Sequence, residues 1–180
     1  MSVQNIDPEF KVYRPVDEAI LTAQAVAGLY GRAQWRGKLY RLFARLTRQG
    51  YRLRDLAAAE AEATITRRYY AGTQTVPLAA IRGSESRGAD FDAWFHPLRP
   101  HDRNRWLSVA TAWHQGLDLS PVELIQMGTH YFVRDGHHRI SIAAALGVRD
   151  IEANVTVWQM AVPAPQPVCS PVACAEPSAA

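Results

Sequence analysis

The 180-residue sequence predicts an α+β domain, a small mixed sheet with flanking helices, preceded by a helical N-terminal region. Three observations carry this. Between Val122 and Val157, short runs of β-branched and aromatic residues flank one helical segment. Between Asp17 and Arg68, apolar residues recur at helical spacing. From Val162 onward, Pro163, Pro165 and Pro167 prevent regular structure, so the end reads as a disordered Pro/Ala-rich tail. The expected organisation is a basic helical region over 1–72, the α+β domain over 73–160 and the tail over 161–180.

Asp17 to Tyr30 reads as helix because Ile20, Leu21, Ala25, Val26 and Leu29 share helical spacing. Gly31 and Gly37 weaken its continuation. Trp35, Leu39, Leu42, Phe43 and Leu46 form a further apolar stripe, and Gly50 suits a helix end. Leu53 to Arg68, rich in Ala and Glu, reads as another helix, with Gly72 and Pro77 marking entry to the sheet-forming part. Gly83 to Pro100 is turn-rich and reads as a long, partly ordered loop or lid. Arg105 to Gln115 is helical, Val122 to Met127 is a strand, and Gly128-Thr129-His130 turns it into a second strand at Tyr131. Ile151 to Val157 alternates apolar and polar residues, as a half-buried strand does. A strand–turn–helix–strand order over 131–157 suggests a parallel crossover.

The formal net charge is +3, but it is unevenly spread. From Arg32 to Arg54 there are eight cations and no acid. Arg41, Arg45, Arg48 and Arg52 fall at helical spacing and would line one face, an electrostatic footprint for DNA or another polyanion. The competing reading is a solvated helix face whose arginine stems cover apolar surface. No run of about 18 apolar residues is present, so no membrane span is expected. Residues Met1 to Asp7 lack the regions of a secretory signal, so the cytoplasm is the expected compartment. Cys169 and Cys174, both in the tail, cannot complete a tetrahedral metal site by themselves. The oligomeric state is left open, and a homodimer is compatible with the sequence.

Chemistry concentrates at Tyr131-Phe132-Val133-Arg134-Asp135-Gly136-His137-His138-Arg139, where a strand runs through an Asp-Gly turn into a helix. A helix N-terminus offers unpaired N–H groups and partial positive charge, hence an anion site. Two imidazoles and Arg139 on its first turn make phosphate the natural ligand. Asp135 is the expected N-cap, and Gly136 allows close backbone approach or positive φ. Ile140 and Ala143 share one face of the helix and Ile142 with Leu146 another, so it is expected to pack on both sides. The bland alternative is an ordinary turn with surface histidines.

These residues resemble the signature of the ParB/sulfiredoxin superfamily, a strand, a short Gly-containing run ending in Arg, then a helix. ParB proteins carry a Gly-Glu-Arg-Arg-like form, sulfiredoxins Gly-Cys-His-Arg, and free-serine kinases an Asp-Gly-His-like form, to which Asp135-Gly136-His137-His138-Arg139 is most similar. Upstream, Val76 to Ile81, then Arg87, then Phe91-Asp92 resemble the first ParB box. The resemblance spans about 76–157. It implies that Gly136, His137, His138, Arg139 and Arg87 contact nucleotide phosphates, with ATP, ADP or CTP as the ligand and Mg²⁺ as a companion. His137 replaces the sulfiredoxin cysteine, which excludes that thiol chemistry. The ParB Glu-Arg pair is also missing.

Three readings follow. The first is a nucleotide- or phosphate-binding protein, with phosphoryl transfer as its catalytic form. Asp135 would then hold Mg²⁺ or act as base, with His137 as its catalytic companion. Glu85 and Asp92 are further base candidates, and Arg87, Arg103 and Arg105 further clamps. The second is a DNA-associated ParB-like regulator that binds through the basic helices. The third is a metal-dependent nuclease using His130, His137, His138 and Asp135, although adjacent His137 and His138 point about 100° apart on a helix.

Overall fold

The computed structural model describes residues 16–47 and 50–161, with side chains from Thr22 onward. Arg48, Cys169, Cys174 and the tail over 162–180 lie outside the described residues. The chain forms α1 (Val16–Thr47), β1 (Arg54–Asp55), α2 (Leu56–Ala61), β2 (Ile65–Pro77), β3 (Ile81–Ser84), α3 (Arg103–His114), β4 (Val122–Met127), β5 (His130–Asp135), α4 (His137–Leu146) and β6 (Asp150–Met160). The α+β class expected from the sequence is the class observed. Six strands make one mixed sheet in the order β1-β3-β5-β4-β6-β2. Among the described residues no helix is long and apolar enough to cross a membrane.

The apolar pattern of each strand decides which layer it feeds. Val122, Leu124 and Val133 join Val76, Ile81, Val155 and Ile140 in the core beneath α4. Ile125, Met127, Phe132 and Trp158 point to the other face, where Leu56 and Ala59 of α2 cover them. The α4 helix is buried on both sides, as its sequence suggests. Ile140 faces the sheet, while Ile142 meets Val26, Tyr30, Trp106 and Ala110 of α1 and α3. Trp106 is fully buried and edge-on to Tyr30, and its Nε1 donates to Ser141 Oγ at 2.9 Å. An indole in a core needs such an acceptor, because an unpaired N–H would cost about 1–3 kcal/mol.

Four expectations are corrected. The helix expected over Leu53 to Arg68 is only α2. At Ile65 the chain turns into β2, whose β-branched and aromatic residues suit an eleven-residue antiparallel register with β6, ending at Pro77 opposite Asp150. The sheet therefore begins at Arg54 and crosses position 72. The α1 helix is continuous past Gly31 and Gly37. A Cβ at Gly37 would lie 2.9 Å from His96 Cβ, so this glycine lets the helix lie against the following loop. Of the apolar stripe along α1, Trp35, Leu42, Phe43 and Leu46 are exposed.

The turn-rich segment after β3 is pinned rather than lid-like. Phe91 and Asp92 are fully buried. Asp92 Oδ1 accepts from the Trp94 and His96 backbone N–H groups, and Oδ2 pairs with His96 Nδ1 at 2.9 Å. Finally, β5 and β6 are not parallel neighbours. The β4–β5 hairpin fills the free edge of β5, so β6 runs antiparallel to β5 and takes the open edge of β4, parallel to it.

Candidate functional site

Gly136 marks the passage from β5 into α4. Its φ of 97° places it in the left-handed region, and it occupies the N-cap position expected for Asp135. A Cβ there would sit 2.5 Å from Val122 Cγ1, so only glycine fits both the turn and the packing against β4. No side chain caps the helix. Its first-turn N–H groups are therefore open to an anion.

Arg87, Arg105, Ser120, Asp135, Gly136, His137, His138 and Arg139 surround a cavity of about 270 Å³ at this helix end. The structure thus brings together Arg87 and the whole Asp135–Arg139 signature. Arg139 holds the walls. Its Nη1 donates to the backbone oxygens of Ser120 and Pro121 and to Ser120 Oγ, and its Nη2 donates to Asp135 Oδ2 at 2.7 Å. This guanidinium ties the 120–121 segment to the start of α4 and neutralises Asp135. The cations left for a ligand are Arg87, 3.7 Å from Asp102 Oδ1, and exposed Arg105, which makes no ion pair among the described residues.

His137 is buried with its Nε2 2.8 Å from Ser84 Oγ. That oxygen already accepts the Arg87 N–H at 2.9 Å and the Ser86 N–H at 3.3 Å. The hydroxyl hydrogen is therefore directed at His137 Nε2, and the ring is neutral with its proton on Nδ1. Burial above all, with Arg87 and His138, pushes the His137 pKa down to about 4 against an opposing pull from Asp135. Ser84 and His137 together lock the backbone of Arg87 against α4. No pattern in the sequence points to Ser84, because its partner lies 53 positions away.

His138 is also buried, and neither ring nitrogen has a hydrogen-bond partner. Its Nε2 lies 3.9 Å from Asp102 Oδ1. Burial lowers its pKa, Asp102 raises it, and Arg105 and Arg87 lower it again. Phe91 stacks on His137 and meets His138 edge-on, fixing both rings.

The other carboxylates considered as bases are engaged elsewhere. Glu85 pairs with Arg134 at 3.3 Å, and Asp92 is buried in its own loop. His130 opens β5 at the end remote from Asp135, a strand length of roughly 16 Å away. The nuclease set of His130, His137, His138 and Asp135 is therefore not assembled. Of the basic stripe, Arg41 and Arg45 line a shallow depression on α1 with Lys38 and Leu42. Arg52 lies beyond α1, its backbone in an antiparallel β-bridge with that of Asp92 and its guanidinium over the Tyr51 ring.

Fold and site define an α+β protein with a small basic cavity at the mouth of a Gly-started helix. No protein-family model matches the chain, and no curated protein does. Among solved structures it is similar to sulfiredoxin from Arabidopsis thaliana, with 22% identity, 46% of this chain and 82% of that chain covered, and a TM-score of 0.36.

Proposed function

We propose that the chain is a phosphate-binding, nucleotide-using protein of the ParB/sulfiredoxin type, with the ligand's phosphates at the N-terminus of α4 between Arg87 and Arg105. The observation that carries this reading is the convergence on one cavity of an uncapped helix end and two guanidinium groups, Arg105, unpaired among the described residues, and Arg87 with its looser partner Asp102 at 3.7 Å. Its volume suits a phosphate chain rather than a whole nucleotide. A neighbouring cavity of about 440 Å³, lined by Trp113, Leu117 and Leu119, shares Ser120 and Arg139 with it and offers apolar room for a base. ATP, ADP and CTP are the candidate ligands. In a phosphotransferase, Asp135 is the carboxylate of the cavity available for Mg²⁺ or for an acceptor hydroxyl.

The test is thermal stabilisation of the full chain by ATP, ADP, CTP and GTP, with and without Mg²⁺. A ligand that binds only the folded state raises Tm once its concentration exceeds the dissociation constant, and the rise grows with the logarithm of concentration. Arg105→Ala and Arg87→Ala are each expected to weaken binding about tenfold, the loss of one charge-assisted contact. No shift with any nucleotide, or a shift unaltered in both variants, would remove the reading. Arg139→Ala is the poorer probe, since it also releases the 120–121 segment.

A second reading has its own observation. The span Arg32–Arg54 holds no acid, and Lys38, Arg41 and Arg45 share one exposed region of α1. DNA binding through this face would be sequence-independent and weaken steeply with salt. A gel shift at low and high salt with Arg41→Ala/Arg45→Ala checks it; no retardation at low salt sinks it.

A further inference from the structure

Beside the phosphate cavity, a second group of side chains meets from two segments. Asp90 lies in the loop after β3, held by its N–H donating to Arg87 O and by its carbonyl accepting from Leu98 N–H. His101 and Asp102 lie on the single 3-10 turn, Pro100–Asp102, that leads into α3. One ligand atom from each of Asp90, His101 and Asp102 lies within 4.8 Å of the others. His101 Nε2 and Asp102 Oδ2 are 3.4 Å apart, yet this buried Oδ2 has no hydrogen-bond partner. The pair is at ion-pair distance but makes no hydrogen bond, and the same separation suits two ligands of one cation. The edge of a tetrahedral zinc site with bonds near 2.0–2.2 Å measures roughly 3.4 Å.

The geometry points to a divalent transition-metal site formed by Asp90, His101 and Asp102, a ligand set distinct from the Asp135–Arg139 signature. The surroundings favour it. Asp102 Oδ1, the oxygen turned away from His101, is approached by Arg87 at 3.7 Å and by His138 Nε2 at 3.9 Å. His138 is 6% exposed and has no hydrogen-bond partner, so an orphaned imidazole stands directly behind the proposed ligand. Arg99 Nε lies 3.2 Å from Asp90 Oδ1, which orients that carboxylate. A group behind a ligand that fixes its direction, as Arg99 does for Asp90, is a regular part of metal sites.

The donor set selects the ion. One imidazole and two carboxylates suit Zn²⁺, Co²⁺ or Mn²⁺, whereas Mg²⁺ avoids imidazole and retains its waters. Three protein ligands leave a coordination position open, which is the pattern of sites that take water or a substrate oxygen. The site rests on its own ligands and does not depend on the nucleotide reading.

The test uses the full chain, without an affinity tag and with Cys169→Ser/Cys174→Ser, so that the tail thiols do not contribute. The chelator-treated protein is titrated with Co²⁺, followed by its visible absorption, and then with Zn²⁺ in competition. One equivalent of Co²⁺ is expected to bind and to be displaced by Zn²⁺. His101→Ala and Asp102→Asn are each expected to weaken binding at least tenfold, and His130→Ala, at the far end of β5, to leave it unchanged. The His101 side chain is 62% exposed, so its removal leaves the fold intact and keeps the test readable. Absence of saturable Co²⁺ binding at micromolar concentrations, or affinity undiminished in His101→Ala, would overturn the assignment.

Discussion

Gly136→Ala is expected to destabilise the folded chain by about 3 kcal/mol, the sum of a strained left-handed alanine and a methyl group driven into a packed core. The added carbon would lie 2.5 and 2.8 Å from Val122 Cγ1 and Cβ, and Val122 is 1% exposed with no room to retreat. The Arg139 Nε also lies within 3.2 Å, so the strain reaches the clamp on Ser120 and Pro121. Gly147→Ala provides the comparison. That residue has φ of 75° but meets nothing within 4 Å, so only the backbone cost of about 1 kcal/mol applies. Urea unfolding of the two variants and the wild type measures the difference. Equal losses at both positions would mean that the contact with β4 contributes nothing. Because the same turn aims the first N–H groups of α4, Gly136→Ala is also expected to abolish any nucleotide-induced rise in Tm, whereas Gly147→Ala retains it.

What the sequence made legible was local. The hairpin from Val122 to Asp135 follows from β-branched runs around Gly128-Thr129, and α4 from an apolar pattern covering two faces. The cavity could be anticipated because the helix end, two histidines and an arginine are contiguous. What stayed hidden depends on distant partners. The Ala- and Glu-rich run after Leu53 has helical propensity, but from Ile65 pairing with β6, nearly a hundred residues away, overrides it. The same holds for function. Arg139 reads as the ligand-holding arginine, yet the carbonyls of Ser120 and Pro121 claim it. Arg105 takes a place at the cavity because α3 packs against α4 through Trp106 and Ile142. Ser84, Asp90 and Asp102 carry no motif and become partners only once β3, the following loop and α3 are in place.

The second large effect is on acid stability, and it originates at His137. In the folded chain its pKa is held down to about 4, while in the unfolded chain it returns to 6.5. Above pH 6.5 the ring is neutral in both states and its burial is not penalised. Between pH 6.5 and 4 the unfolded chain binds a proton that the folded chain refuses, so stability falls as pH falls; below about 4 the loss is complete. The full separation corresponds to about 3 kcal/mol. The cause is structural, because protonation would place a donor on Nε2, facing the hydroxyl that now donates to it, in a pocket that already holds Arg87. His138, lowered first by burial, adds loss of the same sign. In His137→Asn the pH dependence of urea unfolding is expected to flatten between pH 6.5 and 4, even though the variant is less stable at pH 7. A wild-type profile already flat over that range, or one that His137→Asn leaves unchanged, would show that the imidazole titrates freely and that the Ser84–His137 lock does not hold the Arg87 loop against α4.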